Sequence, residues 1–137
     1  MATQYYMLSN MPIMYFRVKG KATLKDLREV EMELKPRLNA RRDNLHLLID
    51  VSEMDGLGIE LKHLKQAIGL THPRIGKVVL FGGDFAVRSL LTILARFTAS
   101  DRLRYFGNEA DAMTYLQRLL AEAGATSSDE TFGYYGR

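Results

Sequence analysis

Two short, nearly unbroken apolar runs constrain this chain most: Leu45–Val51 and Lys77-Val-Val-Leu-Phe81, each followed by a helical pattern. A strand that is apolar on both sides needs cover on both faces, as in a parallel sheet between helices. His46 interrupts the first run. At its end the chain turns acidic and small: Asp50, Val51, Ser52, Glu53, Met54, Asp55, then Gly56-Leu57-Gly58. This reads as a strand, a short acidic loop, and a Gly-Leu-Gly step opening an amphipathic helix. That helix has Leu57, Leu61, Leu64 and Ile68 on one side and Lys62, His63 and Lys65 on the other. Gly69 and Pro73 bracket its exit.

The same alternation extends in both directions. Met14, Phe16 and Val18 alternate with Tyr15, Arg17 and Lys19 until Gly20, a period-2 strand. Tyr5–Leu8 adds an antiparallel strand through a turn at Asn10-Met11-Pro12. Thr23 is an N-cap with Asp26 in a capping-box position, ahead of Leu24, Leu27, Val30, Leu34 and Leu38 at helical spacing, a stripe that Glu31 interrupts at its edge. Pro36 should end or kink that helix near residue 35, because it lacks an amide donor and clashes with the preceding turn. Gly82-Gly83 closes the second apolar run, and Asp84 caps a helix carrying Ala86, Leu90, Leu91, Leu94 and Phe97. A short strand at Leu103–Phe106 and a last helix capped by Asn108 follow. The core stripe of that helix is Ala112, Tyr115, Leu116, Leu119 and Leu120.

The expected architecture is one α/β domain, a mixed, mostly parallel sheet of four to five strands flanked by about four helices. It spans residues 1–123, with 124–137 as a flexible, small and polar tail. A length of 137 residues suits one hydrophobic core.

Composition removes several function classes. With no cysteine, thiolate catalysis, disulfides and cysteine-based metal sites are excluded. No apolar run approaches the ~20 residues of a membrane span, and no basic-then-apolar leader opens the chain, so a cytoplasmic location is expected. The net charge of +3 is spread among acids, with only Arg41-Arg42 and the loose pair Arg102 and Arg104 resembling a patch. Nucleic-acid binders carry a denser basic stripe, so none is expected as a partner.

No catalytic constellation emerges. His46, His63 and His72 share no His-Glu-x-x-His spacing, and a zinc site needs at least three protein ligands, so no metal is expected. Phe81-Gly82-Gly83-Asp84 lacks the spacing of a phosphate-binding loop and reads as a strand-to-helix turn. No cofactor motif is present. Ser52, Asp50 and Asp55 form the sharpest polar cluster, and satisfying turn and cap amides is the simpler role for them. Seven methionines and thirteen aromatics include Met7, Met11, Met14, Tyr15 and Phe16 crowding the N-terminal strands, which suits core filling or an apolar pocket.

Three pieces of the chain, in this order, resemble one family: Val18-Lys-Gly20 followed by Ala-Thr-Leu; Leu47-Leu-Ile-Asp-Val-Ser52 running into Gly56-Leu-Gly58; and Leu103-Arg-Tyr-Phe106 with Glu109-Ala-Asp-Ala112 and Tyr115-Leu116. The pattern, over roughly residues 12 to 121, resembles the STAS-type domain of anti-sigma-factor antagonists, and more closely its SpoIIAA-like subgroup. The resemblance implies a regulatory module acting by protein contact, switched in that family by phosphorylation of a serine in an Asp-Ser-Ser-Gly-Leu-Gly loop. Here Met54-Asp55 precedes Gly56-Leu57-Gly58, so the phosphoacceptor serine is missing and the switch is not expected.

Two expectations follow. The first is a non-enzymatic interaction module meeting an unidentified protein partner through Asp50, Ser52, Glu53, Asp55, Gly56, Leu57 and Gly58. The alternative is a carrier or sensor of a small nonpolar ligand. The family's likeness in layout to lipid-transfer domains implies it, with a pocket at Met14, Phe16, Phe81, Phe85, Leu90, Leu94 and Phe97. A homodimer fits either.

Overall fold

The computed structural model describes residues 2–98 and 101–127. Strands β1 (Ala2–Met7) and β2 (Ile13–Thr23) lead to helix α1 (Leu24–Asn39) and strand β3 (Leu45–Gly58). Two short helices, α2 (Leu61–Lys65) and α3 (Ile68–Thr71), precede β4 (Ile75–Phe81), α4 (Phe85–Thr98), β5 (Leu103–Phe106) and α5 (Glu109–Ser127). The strands form one five-stranded sheet in the order β1-β2-β3-β4-β5. β1 runs antiparallel to β2 and every other neighbouring pair is parallel. This is the expected mixed α/β sheet, with five helices among the described residues rather than about four.

Local chemistry explains most boundaries. Asn10 takes a positive φ of 62° in the first turn, which Leu8 N–H closes on the Ile13 carbonyl at 2.9 Å. Thr23 and Asp26 form a reciprocal capping box at α1. Asp84 accepts from Val87 N–H and Asn108 from Asp111 N–H, each at 2.9 Å, capping α4 and α5.

Two expectations are corrected. First, α1 passes through Pro36 and ends at Asn39. Leu34 and Leu38 are buried on either side of the proline, so packing against the sheet outweighs the lost hydrogen bond. Second, Gly56-Leu57-Gly58 does not open a helix. β3 continues to Gly58, pairing from Lys19↔Glu53 to Thr23↔Gly58. Register shifts after Arg17 and Gly20 carry β2 onward, and Gly20 is at φ 75°. The prolonged edge of β2 thus offers hydrogen bonds that hold residues 53–58 extended. Glycine suits this ribbon, since a Cβ at Gly58 would come within 2.9 Å of Lys21 Cε. The helical stretch expected from residue 57 is reduced to α2 and α3, neither with a buried residue. At the C-terminus α5 extends to Ser127, and the rest of the expected tail lies outside the described residues.

The sheet separates two cores. Ile13, Tyr15, Leu48, Val79, Phe81, Ala112 and Leu116 pack on the α5 face. The opposite face, under α1, α3 and α4, gathers Met14, Phe16, Leu47, Val51, Leu80 and Leu91 among others. Alternation along each strand sends neighbouring residues to opposite faces.

Candidate functional site

The polar cluster forms at the carboxyl end of the sheet's main body. Asp50 is 6 % exposed and turned inward. Its Oδ1 accepts Ser52 Oγ–H at 2.6 Å and Ser52 N–H at 2.9 Å, an Asx-type closure. Its Oδ2 faces Tyr15 OH and Arg17 Nε, both at 3.4 Å. Burial raises the Tyr15 phenol above its ordinary value, Arg17 opposes the shift, and the Asp50 charge adds to it. The hydroxyl of Ser52 is therefore tied to a carboxylate that is itself held by an arginine and a tyrosine. A nucleophile needs a base free to take its proton, and no histidine bonds to this cluster.

The glycine turn after β4 completes this region structurally. Gly82 and Gly83 sit at φ 90° and 92°, where a side chain would be strained. A Cβ at Gly82 would also press on Ser52. Tyr105 OH donates to the Gly82 carbonyl, fixing the turn. The expectation of a structural turn here agrees with this geometry.

The candidate contact residues do not share one surface. Asp50 is buried, so it leaves the set. Leu57 is half-buried and turns toward the interior, and Gly56 is half-buried beside Lys21. Ser52, Glu53, Asp55 and Gly58 are exposed along the β2–β3 ribbon, with Glu53 paired to Lys19 at 3.7 Å.

The histidines all have structural partners. His46 accepts Lys77 N–H at Nδ1, 2.9 Å, and burial pushes its imidazole below the ordinary value. His72 bridges Asn39 and Arg74 N–H, and His63 lies 3.7 Å from Glu60. Among the described residues no group of three or more His, Cys, Asp or Glu side chains could hold a metal ion.

The second feature is a cavity of about 210 Å³ between the sheet, α1, the 57–70 segment and α4. Phe16, Leu47, Ile49 and Val51 form its floor. Leu27 and Val30 of α1 wall one side, Leu57, Leu64 and Leu70 another, and Leu91 and Leu94 of α4 the third. Among the described residues, Thr23, Asp26 and Glu31 are its only polar or charged lining residues. The volume exceeds that of an engineered cavity of about 150 Å³ that stays dry and takes up benzene.

The expected pocket residues are only partly brought together. Phe16 and Leu94 line the cavity. Met14 is buried on the same face but borders a smaller crevice with Tyr5 and Glu33. Phe81 points to the α5 face, because strand alternation puts it out of phase with Leu80. Phe85 is 81 % exposed at the start of α4 and Leu90 is also exposed, both on the outward side of the helix. The Phe97 side chain lies outside the described residues. Val30, Leu57, Leu64 and Leu70 line the cavity and are absent from the expected set. Their signal was the apolar stripe of α1 facing the leucines of 57–70.

A model of the SpoIIAA-like family matches residues 13–117. The chain belongs to the SpoIIAA-like family. Among solved structures, it is similar to an uncharacterised protein of the DUF3478 family with a SpoIIAA-like fold from Shewanella loihica PV-4. That likeness has 22% identity over 84% of this chain and 92% of the other, with a TM-score of 0.61. It is also similar to the anti-sigma factor antagonist SpoIIAA in its unphosphorylated form, at 11% identity over 85% of this chain and 97% of the other, with a TM-score of 0.60. At these identities both likenesses show the fold alone. Comparison with curated proteins gives no match. No helix among the described residues is long and apolar enough to cross a membrane.

Proposed function

We propose that this SpoIIAA-like domain is a non-enzymatic binding module that carries or senses a small nonpolar ligand in the cavity beneath α1 and α4. The observation that carries this reading is the cavity itself. Ligand sites are concave, mostly apolar and edged by few polar groups, and this one is lined almost wholly by apolar side chains. A non-catalytic role is supported by Ser52, whose hydroxyl is bonded to Asp50, a buried carboxylate already engaged by Tyr15 and Arg17, and not to a histidine. Loss of the phosphoserine switch is supported twice. Asp55 and not a serine directly precedes Gly56, and the segment is a strand rather than a helix N-terminus that would favour a phosphate.

Native mass spectrometry of freshly purified protein, before and after exposure to decanol, tests the reading. The expected result is a saturable one-to-one adduct that Leu94→Phe abolishes by filling the cavity. No adduct at any loading, or equal uptake by Leu94→Phe, would contradict it.

A second reading, contact with a protein partner, is favoured by the β2–β3 ribbon. Beyond Asp50↔Phe81 the far edge of β3 has no β4 partner, and Ser52, Glu53, Asp55 and Gly58 are exposed there. Unpaired strand edges are common recognition surfaces. Pull-down with Asp55→Pro against the parent chain tests it, and an unchanged partner set would count against the edge.

A further inference from the structure

The polar residues at the cavity are unevenly signed. Two carboxylates, Asp26 and Glu31, line it, and among the described residues no lysine, arginine or histidine does. Glu31 is the better placed of the two. Its side chain is only 12 % exposed, and it projects from α1 at the edge of the stripe formed by Leu27, Val30 and Leu34. Glu31 Oε2 accepts Ile68 N–H from α3 at 2.9 Å. Its other oxygen, Oε1, faces Arg28 Nη1 at 3.6 Å, too far for a hydrogen bond. Arg28 approaches from the solvent side with its own side chain 59 % exposed. An ionised carboxylate only accepts hydrogen bonds and has about four lone-pair sites. Glu31 thus keeps acceptor capacity at the edge of an apolar space.

Asp26 adds negative charge. The Thr23 hydroxyl, donating to Asp26 Oδ2 at 2.7 Å, holds its carboxyl below the ordinary carboxylate value, so it is ionised at neutral pH. A ligand whose tail fills the cavity brings its head group to this acidic side. A carboxylate head would meet like charge from Asp26 and Glu31, offset only in part by Arg28 on the solvent side, whereas a hydroxyl or ammonium could donate to Glu31.

We infer that the cavity selects an apolar molecule whose polar end is a hydrogen-bond donor, a hydroxyl or an amine, and discriminates against fatty-acid-like carboxylates through Glu31. This rests on the cavity being a ligand site, as proposed above. It adds the chemical class of the ligand's head group.

The test compares decanol, decylamine and decanoate by isothermal titration at neutral pH, each below its aggregation threshold, with the intact chain. The three share one tail, so differences report the head group. Decanoate is expected to bind at least about fivefold more weakly than decanol, the effect of one like-charge contact in a largely aqueous rim. Decylamine is expected to bind at least as well as decanol. In Glu31→Gln, which keeps an oxygen to accept Ile68 N–H, the penalty on decanoate should shrink and any advantage of decylamine should disappear. Decanoate binding as tightly as decanol would overturn the head-group inference while leaving the apolar site standing. Equal discrimination in parent and Glu31→Gln would remove Glu31 from the account. Failure of all three to bind would remove the ligand site and the inference together.

Discussion

On the α5 side of the sheet, Ile13, Leu48 and Val79 are fully buried against Ala112 and Leu116 of one long helix. On the other side, residues of the same strands, Phe16, Leu47, Ile49 and Val51, form the floor of an open apolar volume. The strands are common to both, so the difference lies in the cover. α5 runs 19 residues in one piece. The opposite cover is divided among α1, α4 and two helices of five and four residues. β3 stays extended to Gly58, and residues 59–74 between it and β4 form only the two short helices α2 and α3. A core normally fills its interior at crystal-like density. Here the shortened segment leaves space, and that space is the proposed site.

The largest expected effect lies on the closed face. Leu116→Ala should cost about 3–5 kcal/mol in urea unfolding, because a fully buried leucine leaves a void in a packed layer. Leu94→Phe on the open face should change stability by less than about 1 kcal/mol, since the added ring enters existing space. Equal losses for the two would erase the contrast.

Two glycines sharpen the comparison. A Cβ at Gly76 would overlap the His46 ring, so Gly76→Ala should destabilise by about 1–3 kcal/mol. A Cβ at Gly69 of α3 would meet Val78 and Leu47 at 3.5 and 3.7 Å, ordinary contact distances. Gly69→Ala should therefore be neutral or stabilise by up to about 1 kcal/mol, by thermal denaturation.

A pH series tests the buried histidine. His46 is neutral in the folded state and accepts Lys77 N–H, with burial lowering its value below the ordinary 6.5. Stability should be complete above about pH 6.5 and decline as pH falls through that value, because the unfolded chain then binds the proton more readily. The decline should level off once the folded state also titrates. His46→Gln should flatten this part of the profile, and an unchanged slope would assign it to other groups. The smallest effect is expected at Phe85. At 81 % exposure, Phe85→Ser should alter stability by no more than about 0.5 kcal/mol in chemical denaturation.

Much of the fold was legible in the sequence because its signals are local. The apolar runs at 45–51 and 77–81 fixed buried parallel strands, and Thr23, Asp84 and Asn108 marked three helix starts. Local signals failed where pairing decided the outcome. Gly56-Leu57-Gly58 reads as a helix start, yet the register shifts in β2 make it a strand, and that depends on residues more than thirty positions away. Pro36 reads as a stop, yet the burial of Leu38 overrides it. The site was less legible for the same reason. Its walls are leucines and valines from four segments, indistinguishable in sequence from core residues, and its aromatic decoys Phe81 and Phe85 point elsewhere. Glu31, an interruption in an apolar stripe, and the Thr23–Asp26 capping box are the local signs of a polar edge.

Methyl NMR titration of the labelled protein with decanol tests the central claim most directly. Leu47, Leu57, Leu64 and Leu94 line the open side, while Leu48, Val79 and Leu116 report the closed side. Saturable shifts confined to the first group are predicted. Shifts spread over both faces, or none in the first group, would contradict the account.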